Sequence, residues 1–323
     1  MLGRTCAAAA SCALVAGALL AGCSSSSPAT EPDQTDEVIV AVDDVVDEGA
    51  SVSEEKAAGA EGEGASAQSA SMQAAEQAVR DLVSSYGTEV AVAVMPLDGS
   101  EGFSLNGDAD FVSASMIKLL ILAEYLDEVE AGALNASASY TVTSSDIVGG
   151  TGVIQNSGAG VSYTYDELAR DMIMYSDNTA TNILIDAMGM DAINGKASEL
   201  GLSGTSLQRR MMDLGTGVEN HITANEAAEL LAGFANRTLA SEELCETAGG
   251  YLLDQTDSAG LAQGLPAGVS FAHKTGSLDP IRHDGGIVYA ENPYVIVVLA
   301  NIGTSSANSL MAQVSNAVYD ALG

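Results

Sequence analysis

Three short runs in this chain combine groups that can move protons. Ser115-Met116-Ile117-Lys118 sets a hydroxyl and an amine three residues apart, and on a helix that spacing brings both side chains to one face. A serine near a helix N-terminus feels partial positive charge, which favours a developing alkoxide. Lys118 can take the serine proton only when neutral, which requires desolvation or a second cation nearby. Alone the run is weak evidence, because Ser53-Glu54-Glu55-Lys56 has the same spacing in a linker with no helix or pocket behind it. Ser176-Asp177-Asn178 offers a hydroxyl able to relay a proton to a leaving nitrogen and an amide, Asn178, able to hold a substrate amide. A solvent-facing helix break would have the same composition. Lys274-Thr275-Gly276 follows the strand-like Val269-Ser270-Phe271-Ala272. It supplies the second cation, a hydroxyl that can meet a carboxylate, and a glycine beside which another backbone can come close; an ordinary strand end would read alike.

The elements that must position these groups are legible from periodicity. Ser113–Val129 is apolar nearly all round and predicts a buried helix under Ser115 and Lys118. Ser176 is expected inside a helical region with Met172, Ile173 and Ile183 on apolar positions. Thr164 with Glu167, and Thr223 with Glu226, are capping boxes that open two further helices. Ala75–Tyr86 has helical spacing, whereas Glu89–Met95 alternates as a strand that Gly102–Leu105 can pair through the Asp98-Gly99 turn. Gly285–Ala290 and Tyr294–Ala300 read as strands, and Ser306–Leu322 as a last helix. Sheet material at both ends with helices between predicts an α/β class: one layer closed by both termini, with an all-helical insertion.

Charge and cysteine usage narrow the setting. Lys and Arg number 11 against 44 Asp and Glu, for a net charge of −33, which excludes bulk electrostatic binding to nucleic acid or to anionic lipid. With 47% hydrophobic residues and no Trp, the core must be largely aliphatic. Residues 1–22 read as a secretion signal: Arg4 precedes an apolar run shorter than a membrane span. Its ending, Leu20-Ala21-Gly22-Cys23, resembles a bacterial lipobox, with Cys23 as the lipidated residue; an uncleaved anchor is the alternative. Residues 23–71 then form an acidic, disordered linker, expected to be extended, in which Val38–Val42 is an apolar patch. Cys6 and Cys12 leave with the signal, so only Cys245 remains and no disulfide is available. Cys245 sits among Glu242, Glu243 and Glu246, which disfavour a thiolate, and it reads as a packing residue. His221, His273 and His283 are too dispersed for a metal motif, and Asp284 is placed to pair with Arg282.

Together and in this order, S-x-x-K, S-D-N and K-T-G resemble the penicillin-recognising serine enzymes, most closely the class A β-lactamases. The resemblance spans Met72–Gly323 and includes Asn178-Thr179-Ala180 with Asn182, then Arg282 and Asp284. It implies a β-lactamase/transpeptidase-like fold for residues 72–323: an antiparallel sheet flanked by N- and C-terminal helices, plus an all-helical subdomain. It implies Ser115 as nucleophile, Lys118 as proton acceptor and Ser176 as donor to the ring nitrogen. The backbone N–H groups of Ser115 and Ser277 would form the oxyanion hole. Asn178, Lys274, Thr275, Gly276 and Arg282 would hold substrate, Arg282 being slightly nearer the K-T-G than is usual. Neither cofactor nor metal is implied. One departure stands out. Aligned on Thr205 and Leu207, Met211 occupies the place of the Glu that activates the deacylating water, and a thioether is no general base. Asp213, two positions on, is the nearest acid that could substitute. The expectation is a lipid-anchored, exported, monomeric protein acylated by β-lactams, with slow deacylation. A DD-peptidase acting on D-Ala-D-Ala stems, or a non-turnover penicillin-binding lipoprotein or sensor, are the alternatives on the same residues.

Overall fold

The computed structural model describes residues 54–323, with side chains from Gln68 onward. The signal, Cys23 and the Val38–Val42 patch lie outside the described residues. The N-terminal elements are α1 (Glu54–Val83), β1 (Val90–Pro96), β2 (Phe103–Leu105), β3 (Phe111–Val112) and α2 (Lys118–Glu130). A middle block follows: β4 (Ser139–Thr141), α3 (Ile154–Ser157), β5 (Ser162–Thr164), α4 (Tyr165–Met174), α5 (Asn178–Met188), α6 (Met190–Glu199), β6 (His221–Ile222), α7 (Ala224–Ala235) and α8 (Glu242–Leu253). The chain then returns through β7 (Ser270–Leu278), β8 (Ile281–Tyr289), β9 (Tyr294–Ala300) and α9 (Thr304–Leu322).

The main sheet has the order β2-β1-β9-β8-β7 and every pairing in it is antiparallel. The α/β class, the antiparallel sheet and the helical middle block agree with expectation. Strand alternation sorts the sheet's residues into two cores. Ala91, Ala93, Val295, Val297 and Leu299 face the helical block and pack in the same core as α2. Val90, Val92, Val94, Ile296 and Val298 face α1 and α9. With both faces covered, β9 is buried from Tyr294 to Ala300. Among the described residues no helix is long and apolar enough to cross a membrane.

One boundary and one cap differ from the sequence reading. The first helix begins at Glu54, so the segment expected to be extended is helical over 54–71. Ala57, Ala58, Ala60, Ala65, Ala67 and Ala70 supply helix propensity that a reading of charge alone overlooks. Glu54, Glu55 and Lys56 of the second S-x-x-K therefore lie on a helix, while Ser53 is outside the described residues. At the Thr164 cap both halves of the box form: Thr164 Oγ1 accepts from Glu167 N (3.1 Å) and Glu167 accepts from Thr164 N (2.8 Å). At Thr223 only the first half does, because the Glu226 carboxylate is drawn away to Gly204 N (2.7 Å) and Thr205 Oγ1.

Candidate functional site

Ser115 sits on a 3₁₀ turn, Ala114–Ile117, that leads into α2, and Ala114 takes a left-handed φ of 46° immediately before it. Lys118 is the first residue of α2 and fully buried. Its Nζ lies 2.7 Å from the Ser176 carbonyl, 3.1 Å from Ser176 Oγ and 3.0 Å from Asn178 Oδ1. Ser176 is not inside a helix, as its surroundings suggested. It occupies the turn between α4 and α5 with φ 52°, a left-handed conformation that costs a non-glycine residue about 1 kcal/mol or more. Asp177 explains the break. Its carboxylate caps α5 at Ala180 N (2.9 Å) and also accepts from Val153 N (2.6 Å) and Ile154 N (2.8 Å). The chain cannot continue one helix and satisfy that cap, so it turns, and the turn sets Ser176 Oγ between two lysines.

The second lysine is Lys274 on β7, fully buried, with Nζ 3.0 Å from Ser176 Oγ and also donating to the Thr275 carbonyl. Burial, reinforced by the charge of Lys274, pushes Lys118 well below the ordinary lysine range, with Asp177 opposing. Burial also lowers Lys274, to about 7, against the pull of Asp284 and Asp257. A neutral Lys118 carries a lone pair. Ser176 can then donate its proton to Lys118 while accepting from the Lys274 ammonium, which makes a relay of the three groups. Gly276 lets β7 run against the Ser115 turn. A Cβ there would stand 3.2 Å from both Ser113 O and Ser115 N.

These groups open onto a cavity of about 310 Å³ lined by Ser115, Ser176, Asn178, Thr275 and Ser277, with Met211, Met212 and Leu214 opposite in the lining from a surface loop. The ends of that loop, 208–220, are tied together. Asn220 Oδ1 accepts from Gln208 N (2.7 Å) and Arg209 N (2.9 Å), and Asn220 Nδ2 donates to Arg209 O (3.1 Å). Arg209 and Glu219 form an ion pair at 2.6 Å across the same neck. The Asn220 carbonyl accepts from Ser113 N (2.7 Å), which joins the neck to the Ser115 turn. Within the loop Met211 is buried, its backbone held at both ends by Asn182: Met211 N donates to Oδ1 (2.8 Å) and Nδ2 donates to Met211 O (3.1 Å). Asp213 is exposed and is not among the residues lining the cavity. Met212 and Leu214 still line the cavity after Met211, and the acid of this loop that reaches the lining is Glu219, held by Arg209. Glu219, Asn220 and Arg209 were not anticipated. The one available signal was a rare base followed ten residues later by an acid.

Arg282 departs from expectation. It does not pair with Asp284, and its guanidinium is engaged by Asp257, Ser277 Oγ (3.0 Å) and Asn308 Oδ1 (2.8 Å). Asp284 instead accepts from Leu261 N (2.9 Å) and meets His273 Nδ1 (2.9 Å). Both side chains find nearer partners on the 257–261 segment and on β7 than in each other. His283 Nδ1 accepts from Ala300 N (3.0 Å), so Nε2 carries the proton and donates to Val112 O (2.9 Å). Burial pushes this imidazole down to about 4, which makes it a neutral strut. Cys245 is buried in the helical core. Among the described residues no cluster of three His, Cys, Asp or Glu could hold a metal.

Comparison with known proteins matches residues 74–322 to the beta-lactamase enzyme family. β-Lactamase CARB-3 of Pseudomonas aeruginosa is 25% identical over 266 residues, which cover 79% of this chain and 92% of that protein. A crystal structure of a β-lactamase from Sphaerobacter thermophilus superposes with TM-score 0.71 at 27% identity, over 77% of this chain and 97% of the other. A point mutant of PBP-A, described as an acyl-enzyme complex with penicillin G, superposes with TM-score 0.70 at 27% identity, over 76% and 95%.

Proposed function

From the premise that this chain belongs to the beta-lactamase enzyme family and is class A-like in fold, we propose that it is a serine hydrolase acylated at Ser115 by β-lactams. The observation that carries the reading is the Lys118–Ser176–Lys274 relay beside Ser115 on one cavity. Ser115 Oγ attacks the β-lactam carbonyl carbon and passes its proton to neutral Lys118. The tetrahedral oxyanion rests on the N–H groups of Ser115 and Ser277. Ser176 protonates the ring nitrogen as the C–N bond breaks, and Lys118 returns a proton to Ser176, leaving an ester on Ser115. Asn178 and Thr275 orient the substrate.

Deacylation needs a water relieved of a proton as it attacks that ester. Met211 presents a thioether where the family resemblance calls for a carboxylate, so hydrolysis of the ester is slow and the acyl-enzyme accumulates. The same residue favours a second reading, a penicillin-binding protein that is acylated without turnover. Intact-protein mass spectrometry after mixing with benzylpenicillin separates the cases. A long-lived adduct, absent in Ser115→Ala, is expected. Rapid turnover with no trapped adduct refutes slow deacylation, and absence of both refutes the acyl-enzyme. From the Leu20–Cys23 motif alone, we further propose a lipid anchor on the outer face of the bacterial membrane. Radiolabelled palmitate should enter the wild-type protein and not Cys23→Ala.

A further inference from the structure

The end of the cavity where a substrate carboxylate would meet Arg282 is occupied by a carboxylate of the protein itself. Asp257 lines the cavity beside Thr275 and Ser277. Both of its oxygens are held by one guanidinium: Arg282 Nη1 donates to Oδ2 (2.7 Å) and Nη2 to Oδ1 (3.1 Å). This is the bidentate geometry in which arginine takes a planar carboxylate from a ligand. Ser277 Oγ and Asn308 Oδ1 accept from the rest of the guanidinium, whose side chain is only 4% exposed. Burial raises the Asp257 carboxyl, but the hydrogen bonds and charge of Arg282 outweigh it and keep the group below the ordinary carboxylate range, so it is anionic at neutral pH. The other ion pair on the wall, Arg209 with Glu219, is also closed, and Arg209 is the one cation lining the cavity among the described residues. Lys274 faces Ser176 and Thr275 from beneath.

We propose that Asp257 is a specificity-determining residue that holds Arg282 in place of a substrate carboxylate and so weights the site towards acyl donors uncharged at that end, amides or esters, over free carboxylates. The inference rests on the acyl-enzyme reading above. A carboxylate ligand reaches Arg282 only if Asp257 leaves. The Asp257 side chain is 42% exposed and can swing into water, at the loss of a charge-assisted bidentate pair. If it stays, two carboxylates face one guanidinium and repel. An uncharged donor meets neither cost.

The test compares one cephalosporin as its free acid and as its methyl ester, following acylation by intact-protein mass spectrometry. Wild type, Asp257→Asn and Asp257→Ser are run side by side, with melting temperatures. Wild type is expected to acylate with the ester at least as fast as with the acid. In the variants the acid-to-ester rate ratio should rise about tenfold or more, the scale of one charge-assisted pair. A purely structural Asp257 would slow both ligands together and leave the ratio alone. An unchanged ratio in both variants, or a wild type that takes the acid much faster than the ester, overturns the inference and leaves the acyl-enzyme standing. Failure of both ligands to acylate any of the three proteins overturns the acyl-enzyme reading, and the inference with it.

Discussion

Replacing Met211 with glutamate asks whether a missing base is all that separates acylation from turnover. The substitution is well posed because the Met211 backbone is fixed by Asn182 on both its N–H and its C=O, so the new side chain starts from the same Cα. Met211 is 6% exposed and lines the cavity, so the carboxyl would be desolvated and its pKa raised towards the range useful to a base. General-base assistance is worth roughly 10²–10⁴-fold, or about 2.7–5.4 kcal/mol off the deacylation barrier at 1.36 kcal/mol per tenfold. Burying the carboxyl should cost the fold about 1–3 kcal/mol, read as a lower melting temperature. The assay traps the penicillin adduct, removes free drug and follows decay of the adduct mass. Met211→Glu should shorten the adduct lifetime by about a hundredfold or more and change the acylation rate far less, since the Lys118–Ser176–Lys274 relay is untouched. Met211→Gln has the same shape and no basicity, and should leave the lifetime near wild type. Equal acceleration by Gln and Glu would mean that water access, not proton removal, limits deacylation. No acceleration by Glu would mean that the side chain at 211 does not address the ester.

Acylation should fall near pH 7 as Lys274 loses its proton; Lys274→Arg should move that limb upward, and an unmoved limb would remove Lys274 from the relay. Lys274 also makes stability rise with pH from about 7 towards 10.5, because over that interval the unfolded chain binds more protons than the folded one. Glu124 has the opposite sign: burial, with Glu128 and Asp127, raises it from 4.5 to about 7, so stability falls as pH climbs through that window. Glu124→Gln should therefore stabilise the protein by about 1–3 kcal/mol at pH 8 and lose that gain by about pH 4.5, checked by urea unfolding at both pH values. Asn220→Ala removes three hydrogen bonds from the buried neck of the 208–220 loop and should cost about 2–4 kcal/mol in the same assay; a change below 0.5 kcal/mol would show that the neck is held by Arg209 and Glu219 alone.

What the sequence conveyed depended on how locally each feature is encoded. Ser115 and Lys118 were legible because one short element carries both, and an apolar run marks that element as buried. The Thr164 cap was legible for the same reason. Ser176 was placed on the wrong backbone because its position depends on Asp177 caring more for three amide groups, two of them on the 153–154 segment, than for helix continuity. The Glu226 carboxylate left its own cap for Gly204 and Thr205, a choice that only tertiary contact makes. Arg282 illustrates the general difficulty. Asp284, two residues away on the same strand face, is the obvious partner in the sequence, yet Asp257 lies where the guanidinium fork can close on both its oxygens. Spacing along a chain identifies which groups are available, and geometry across elements decides how their valences are filled.

The pairing of β1 with β9 has a consequence for how the molecule comes into being. Val90 lies opposite Ala300 and Pro96 opposite Tyr294, so the middle of the sheet is zipped from segments about 200 residues apart in the chain. α1 and α9 close over that seam. Such long-range pairings raise the contact order, which across proteins goes with slower folding. Lys274 rides on β7, two strands from the seam, while Ser115 and Ser176 belong to the earlier helical block. The Lys118–Ser176–Lys274 arrangement is therefore complete only once β7 has docked against the helical block, so it depends on the long-range part of the fold.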